Sequence, residues 1–383
     1  MRKCYIGVGG KARKVKAIYI GVNGKARKVI KAYIGVNGKA RKFWPHLGTI
    51  QKVSNSIDKL SVARRRMGKA SIGNYALFAG GRLRAGYTLN VDAYNTSLTR
   101  STPNSLTGDA RSDLGSATVG DYALFAGGFN TNYKNTVNAY NTSLTRSTAT
   151  ALTENKADLA SASIGNYALF AGGKKSSNGY SDVVNAYNAT LTRSTTSDVL
   201  SYKPYQFSGG SVGNYAVFAG GRLSSGYSNI VNAYNASLVR SIPTTLSKSR
   251  YDLASAKNGN YLMFAGGYTD SSSGGTVNTI DVYNSSLVRT TPVTLSNAAA
   301  TLDGASVGNY AVFGGGYSGQ YTTSDPISTV NAFNDSLARS IPSSLSSAKS
   351  YISAINVGKY ILFAGGLLSS GAPDDTIDAY YED

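Results

Sequence analysis

Short apolar runs, each ended by a glycine pair, recur along most of the chain. In the first complete example, Tyr-Ala-Leu-Phe-Ala at 75–79 lacks polar alternation and stops at Gly80-Gly81. A run of this kind predicts a strand that is buried on both faces. The tight turn Gly73-Asn74 precedes it, after a strand of small residues at 69–72, and further strands are predicted at 90–94 and 98–102. One repeat therefore predicts four antiparallel strands.

A phrase close to Gly-Asn-Tyr-Ala-Leu-Phe-Ala-Gly-Gly occurs seven times. Its first glycine stands at 73, 120, 165, 213, 259, 308 and 358, so the spacings run from 45 to 50 residues. This period, without any helical pattern, is typical of the four-stranded blade of a β-propeller. The seventh repeat ends after three strands, whereas 48–54 is similar to a fourth strand. We predict an all-β, seven-bladed propeller over 46–383 that the strand near 48–54 closes.

Within 47–383 the repeats resemble the kelch family. They share an apolar strand ending in Gly-Gly, a third-strand tyrosine, and a basic residue nine positions before the turn glycine. That basic residue is present in five repeats, as Arg64, Arg111, Lys156, Arg250 and Lys349. The resemblance implies a seven-bladed kelch-like β-propeller. The usual fourth-strand tryptophan is replaced by arginine, whose head we expect to hydrogen-bond neighbouring backbone. These arginines are Arg100, Arg146, Arg193, Arg240, Arg289 and Arg339.

Residues 1–45 form a second repeat system with a period of 14. Tyr-Ile-Gly-Val-Asn-Gly-Lys-Ala-Arg-Lys occurs at 19–28 and again at 33–42, and a close variant occurs at 5–14. Asn-Gly or Gly-Gly between β-branched and basic flanks predicts a two-residue hairpin turn. We therefore predict short tandem β-hairpins. A segment of this length does not bury a core alone, so we expect it to dock onto a partner.

The charge of the chain is concentrated in this segment. The formal net charge is +19, and residues 1–45 contain 13 basic and no acidic side chains. An acidic protein partner is the favoured interpretation, a merely solvated face is the next, and nucleic acid is the least favoured. The candidate attachment residues are Lys11, Arg13, Lys25, Arg27, Lys39 and Arg41.

These tandem units resemble segments of tail-associated proteins from phages and prophages of Gram-positive bacteria. The resemblance covers 1–45 only and implies a protein attached to a particle. Virion or tail proteins are then the expected partners of this segment. It does not distinguish tail, baseplate and capsid.

Composition argues against an enzyme. Cys4 and His46 are the only residues of their kinds, and both precede the repeats. They leave no basis for a metal site, a cofactor or serine–histidine chemistry, so we expect none of these. The chain lacks an apolar run long enough to span a membrane and has no signal-peptide pattern. We expect no membrane insertion, synthesis in the bacterial cytoplasm, and final location on a virion or phage-like particle.

Asn-Xaa-Ser/Thr triplets recur at one position of the repeat. The first is Asn95-Thr96-Ser97, at the turn between the third and fourth strands. Asparagine and serine at such turns cap their own backbone, so we interpret the triplets as turns and not as glycosylation acceptors.

Comparison among repeats indicates a recognition face. The loops between second and third strands and the blade connections vary, whereas the opposite turns are nearly uniform. The variable loops are rich in Tyr, Ser, Gly and Asn, a composition typical of adaptable binding surfaces. Loop variation without any function is the alternative. We expect basic residues of the connections to approach the channel mouth beside Asp113, Asp158 and Asp252. The candidate ligand-binding residues are Arg64, Arg66, Arg84, Tyr87, Arg111, Tyr133, Tyr180, Lys203, Tyr205, Tyr227, Arg250, Tyr251, Tyr321 and Tyr351.

The sequence favours a non-enzymatic binding protein of a phage or phage-like particle. In this hypothesis the propeller contacts a host-surface saccharide or protein while the hairpins dock to the particle. One alternative is a virion structural or decoration protein that contacts only other virion proteins. Another is an intracellular kelch interaction scaffold. A homo-oligomer is compatible with each of them.

Overall fold

The computed structural model describes residues 49–176, 179–269, 275–319 and 325–383 in full and, before them, the backbone of six strands. Those six strands form three two-stranded antiparallel sheets. Their bounds are Tyr5–Val8 with Lys11–Lys14, Tyr19–Val22 with Lys25–Lys28, and Ala32–Val36 with Lys39–Trp44. These sheets lie over the three copies of the 14-residue repeat.

The repeats fold into seven four-stranded antiparallel sheets, which we number blades 1 to 7. In blades 1 to 6 the four strands follow one another along the chain from the inner to the outer strand. The inner strands are Gly68–Ile72, Gly115–Val119, Ala160–Ile164, Ser208–Val212, Ala254–Asn258, Asp303–Val307 and Ser353–Val357. The second strands are Tyr75–Ala79, Tyr122–Ala126, Tyr167–Ala171, Tyr215–Ala219, Tyr261–Ala265, Tyr310–Gly314 and Tyr360–Ala364. The third strands are Val91–Asn95, Val137–Asn141, Val184–Tyr187, Val231–Asn235, Ile280–Asn284, Val330–Phe333 and Ile377–Glu382.

The outer strands are shorter and complete the blades. In blades 1 to 6 they are Arg100–Ser101, Arg146–Ala149, Arg193–Thr195, Arg240–Ser241, Arg289–Thr290 and Arg339–Ser340. The outer strand of blade 7 is Ile50–Lys52, from before the first repeat. Next to it the Val53 amide donates to the Ala379 carbonyl at 2.8 Å, and Lys52 Nζ lies 2.7 Å from Asp378 Oδ1. Blade 7 thus combines the two ends of the repeat array, and the predicted all-β, seven-bladed propeller is confirmed.

The hydrophobic core lies between blades. Leu77 of blade 1 packs in one cluster with Phe125 and Tyr140 of blade 2, and all three are fully buried. The Phe125 and Tyr140 rings meet edge to face, with centroids 5.9 Å apart, and the Tyr140 hydroxyl donates to the Asn104 carbonyl at 2.7 Å. The same arrangement joins blade 7 to blade 1 through Leu362 and Phe78. Since each buried large side chain contributes roughly 1.5–3 kcal/mol, these layers hold the ring together.

The glycine pairs let neighbouring blades approach closely. The second glycine of each pair donates its amide to a backbone carbonyl of the next blade, from Gly81 to Arg111 at 2.8 Å and, across the closure, from Gly366 to Arg64 at 3.1 Å. A Cβ on the first glycine of blade 2, Gly127, would lie 2.4 Å from a carbonyl oxygen, and its φ is +67°. Only glycine combines that conformation with that contact.

The outer-strand arginines and the Asn-Xaa-Ser/Thr triplets stabilise loops. Arg240 donates to the Val199 carbonyl at 2.5 Å, and the arginines of blades 2, 3 and 6 also bind neighbouring carbonyls, as the sequence predicts. In blades 1 and 5 the arginine pairs instead with an aspartate of its own blade. Asn95 Oδ1 accepts from the amides of Ser97 and Thr99 at 2.9 and 3.0 Å, the turn role expected for the triplets.

Candidate ligand-binding face

One face of the ring is built from three segments of every blade. In blade 1, Arg65 of the incoming connection pairs with Arg82, which directly follows the glycine pair, and Arg82 pairs with Tyr87 of the loop between second and third strands. Equivalent bridges recur in all seven blades. The two kinds of variable segment therefore meet on one side of the ring, which we term the mouth face.

Seven residues, one from each blade, surround the channel at this face and form the mouth ring. The mouth ring consists of Arg66, Asp113, Asp158, Gln206, Asp252, Thr301 and Tyr351. All seven have φ between 51° and 58°, a left-handed conformation that is uncommon for residues other than glycine. Each amide donates to the carbonyl of the preceding member, and the Arg66 amide donates to the Tyr351 carbonyl at 3.4 Å, so the circle closes. This backbone hydrogen bonding fixes where each side chain starts.

An apolar layer lies directly beneath the mouth ring. It consists of the next residue of each blade: Met67, Leu114, Leu159, Phe207, Leu253, Leu302 and Ile352. These side chains are buried, with at most 8% exposed. They line the floor of the mouth cavity of about 250 Å³, and most of them also line a second cavity of about 420 Å³ among the inner strands. The mouth is therefore a cup with an apolar floor.

The mouth ring is chemically divided into two arcs. In the paired arc, from blades 7, 1 and 2, Arg66 Nη1 lies 3.0 Å from Asp113 Oδ1, and its guanidinium carbon lies 4.2 Å from the Tyr351 ring centre. In the acceptor arc, from blades 3 to 6, stand Asp158, Gln206, Asp252 and Thr301. None of these four side chains has a hydrogen-bond or ion-pair partner among the described residues.

Burial at the mouth raises the pKa values of the two carboxyl groups in the acceptor arc. Desolvation raises the pKa of Asp252 to about 6, with Arg66 opposing the shift and Asp113 adding to it. Desolvation also raises the pKa of Asp158, and the nearby Asp113 carboxylate adds to the effect. Both groups therefore hold protons more tightly than free aspartate does, because burial disfavours the anion.

A crescent of aromatic rings lies beside the acceptor arc, on blades 3 to 5. Tyr180 stacks on Tyr205 at 5.1 Å, and Tyr227 stacks on Tyr251 at 4.9 Å. The guanidinium carbon of Arg222 lies 6.0 Å from the Tyr205 ring centre and 5.7 Å from that of Tyr251, so it bridges the two pairs. Tyr180, Tyr227 and Tyr251 are partly exposed, whereas Tyr205 is buried. Aromatic rings and a cation thus form one continuous rim, the tyrosine crescent.

The structure places the predicted site residues in different parts of the chain. On the mouth face lie Arg66, Arg84, Tyr87, Tyr133, Tyr180, Tyr205, Tyr227, Tyr251 and Tyr351. Lys203 is exposed, and its Nζ lies 3.8 Å from Asp182 Oδ2. Tyr321 lies outside the described residues. The attachment residues Lys11, Arg13, Lys25, Arg27, Lys39 and Arg41 lie on the hairpin strands.

The expectation that Arg64, Arg111 and Arg250 approach the mouth is wrong. All three side chains are 0% exposed. Arg64 Nη2 lies 2.7 Å from Asp92 Oδ2, within its own blade. Arg111 forms no ion pair with a carboxylate in the described part of the chain: it donates to the Gly127 carbonyl at 2.9 Å, and burial lowers its pKa to about 10. These guanidinium groups are held by partners within the ring and away from the mouth cavity, so they are structural.

Sequence reasoning missed Gln206, Thr301 and Arg222 as members of the face. Two simple signals locate them. The mouth ring stands seven positions before the turn glycine of each repeat, and the rim position of Arg222 directly follows each glycine pair. Aligning the seven repeats on the glycine pair would have brought both sets into register.

Two further observations concern the part of the chain that the structure describes. Within it no group of three or more His, Cys, Asp or Glu side chains is arranged to hold a metal ion. It also contains no helix that is long and apolar enough to cross a membrane.

Comparison with known proteins gives the fold. No protein-family model matches the chain, and no curated protein matches it. A solved structure titled "Structure of YjhT" is similar, with a TM-score of 0.57 and 13% identity, and the match covers 74% of this chain and 99% of that one. At 13% identity this similarity supports only the fold: the repeats of this chain form a seven-bladed β-propeller.

Proposed function

We propose that this protein is a non-enzymatic recognition protein of a phage or phage-like particle. Its mouth face binds a ligand on the host surface, and its basic hairpins attach to virion or tail proteins. The observation that carries the binding role is the cup at the mouth, where unpaired polar side chains surround an apolar floor. A concave site with a few convergent polar groups is the usual form of a ligand site.

The division of labour rests on two separate features. The mouth face combines variable loops with a rim of tyrosines, a composition suited to recognition. Residues 1–45 carry 13 positive charges and repeat a unit that resembles tail-associated proteins. The single Cys4 and single His46, both outside the repeats, support the non-enzymatic part of the proposal.

The test uses the full-length protein and host cell walls. We expect wall binding to fall at least about tenfold when Tyr227 and Arg222 of the rim are replaced by alanine. We expect it to stay unchanged when Val288 and Ile341, which are exposed next to the outer strands of blades 5 and 6, are replaced by serine. Association with particles should depend on residues 1–45 and not on the rim, so deleting these residues should abolish co-purification with particles. Wall binding that is insensitive to the rim would contradict the proposal.

A second candidate function is that of a virion structural protein. Blades 4 to 6 expose large apolar side chains at their outer strands, among them Val239 at 54%, Ile242 at 57%, Val288 at 56% and Ile341 at 57%. Val288 stands at the position of Val239, and Ile341 at that of Ile242, so successive blades repeat these exposed apolar side chains, and a set of this kind would suit contact with another protein. If particle assembly fails in the Val288→Ser, Ile341→Ser variant while wall binding is absent in the wild type, this candidate replaces the first.

A further inference from the structure

We propose that the acceptor arc of the mouth ring binds a primary ammonium group carried by a saccharide. This inference rests on the proposed recognition function and names the chemical class of its ligand. The amino group would lie against Asp158, Gln206, Asp252 and Thr301, and the sugar body would extend toward the tyrosine crescent.

The first argument is the uneven pairing around the ring. Arg66 neutralises Asp113 across 3.0 Å, which leaves two carboxyl groups without an ion pair among the described residues. These two flank Gln206, and Thr301 follows Asp252 in the next blade. Four hydrogen-bond acceptors therefore occupy four consecutive places. An ammonium group has three donors and no acceptor, so it matches such an arc.

Thr301 gives a second and independent argument. Its side chain lines the mouth cavity and is 8% exposed, yet Oγ1 has no hydrogen-bond partner within the described ranges. A buried hydroxyl without a partner costs free energy, and native proteins rarely retain one without a use. Because Oγ1 itself is buried, a donor placed in the cavity would satisfy it once the Thr301 side chain rotates toward the cavity.

The cations of the rim leave the arc open. Arg222 lies over the rings of Tyr205 and Tyr251, and Lys174 Nζ lies 5.7 Å from the Tyr205 ring centre. Neither forms an ion pair with the mouth carboxyl groups in the described part of the chain. The positive charges of the rim are thus held on aromatic faces, beside the place that the ligand's ammonium group would take.

The crescent favours a saccharide as the body of the ligand. Tyr180 and Tyr227 present partly exposed rings next to the acceptor arc, and Arg222 adds an exposed donor. Rigid rings give contact area at low entropic cost, and the guanidinium group can donate to hydroxyl oxygens. A flexible basic peptide would use the carboxylates and leave this rim largely unused.

Binding should be linked to the ionisation of the arc. Arg66 and Asp113 act on both carboxyl groups; Asp252 and Lys174 also act on Asp158, and Arg222 also acts on Asp252. Since desolvation places the pKa of Asp252 at about 6, a cation that needs the carboxylate should bind more tightly as pH rises through that value. The bound cation should also expel a proton.

The experiment is calorimetric titration of the full-length protein with three probes: a glucosamine tetramer, its N-acetylated counterpart and tetralysine. We expect the glucosamine tetramer to bind at least about tenfold more tightly than either of the others. Its affinity should rise between about pH 5 and pH 6.5, and the heat should depend on the buffer because protons are released. Equal affinity for the N-acetylated probe, or tighter binding of tetralysine, would overturn the inference.

Matched variants locate the effect. Asp252→Asn and Asp158→Asn should each weaken binding of the glucosamine tetramer at least about tenfold, since asparagine tolerates the left-handed backbone but carries no charge. Asp121→Asn is the control, because five other blades already have asparagine at this exposed turn position. Unchanged affinity in both mouth variants, with unchanged melting temperatures, would refute the site. If these variants lose wall binding while no probe binds, the inference fails and the recognition function stands.

Discussion

Replacing Arg250 with alanine should leave a charge buried in blade 5. Arg250 Nη2 lies 2.7 Å from Asp281 Oδ2, and both side chains are 0% exposed. Removing one partner of a buried pair costs about 3–5 kcal/mol, because the remaining charge stays desolvated. Arg289 keeps its own contact with Asp281 at 2.9 Å, so the lower end, about 3 kcal/mol, applies here.

Blade 6 provides the template for a rescue. It has Ala299 at the position of Arg250 and Asn331 at the position of Asp281, so it contains neither charge. Asn331 Oδ1 accepts from the Ser296 amide at 2.9 Å, just as the Asp281 carboxylate accepts from a serine amide at 2.9 Å. Adding Asp281→Asn to Arg250→Ala should therefore remove the buried charge while keeping this bond, and should recover about 2 kcal/mol.

Urea unfolding of the full-length variants measures these differences. Asp281→Asn alone is the second single variant: it leaves the buried Arg250 guanidinium without a carboxylate and should also cost about 3 kcal/mol. We expect the free energy of unfolding of the double variant to be larger than that of Arg250→Ala. If the double variant is as unstable as Arg250→Ala or more so, lost packing and not the unpaired charge determines the effect, and the reasoning is refuted.

Three other outcomes follow from the fold. Removing residues 1–56 should lower the melting temperature sharply and promote aggregation, whereas removing 1–45 should change it little, because only the first deletion takes away the Val53–Ala379 hydrogen bond; equal stability in a thermal scan would contradict closure by this strand. Burial lowers the pKa of Lys156 to about 8, so stability should rise, by at most about 3 kcal/mol, as pH increases from 8 toward the ordinary lysine pKa. Lys156→Met should flatten that rise in urea titrations, and a rise of the same size in the variant would assign it to other groups. Thr301→Asn should stabilise the protein by about 1 kcal/mol, since a β-branched residue is strained at φ +53°; a lower melting temperature would show that the threonine packing outweighs the strain.

The sequence determined the number of blades and the location of their strands. Seven copies of the glycine pair at spacings of 45–50 residues left one architecture, and local turn chemistry marked the strand ends. The three-stranded seventh repeat and the strand near 48–54 also indicated how the chain ends meet. Local patterns suffice for these features because every blade repeats the same apolar strand, turn residues and glycine pair.

The composition of the candidate site was predictable only in part. Tyr87, Tyr133, Tyr180 and Tyr227 could be assigned to one face from strand topology, because they share a loop in four successive blades. Which of them stack, and on what, depends on side chains of the next blade, such as Tyr205. The repeat pattern shows which strands pair, but not which side chains of neighbouring blades come into contact.

The tertiary structure decided which charged residues face the ligand cavity. Arg64 and Arg66 are two positions apart, yet the first is buried against Asp92 and the second lines the mouth. The left-handed backbone at Arg66, held by hydrogen bonds to the blades on both sides, sets that difference. Because these bonds exist only once seven blades close into a ring, the position of each mouth side chain is a property of the assembled ring and not of the repeat.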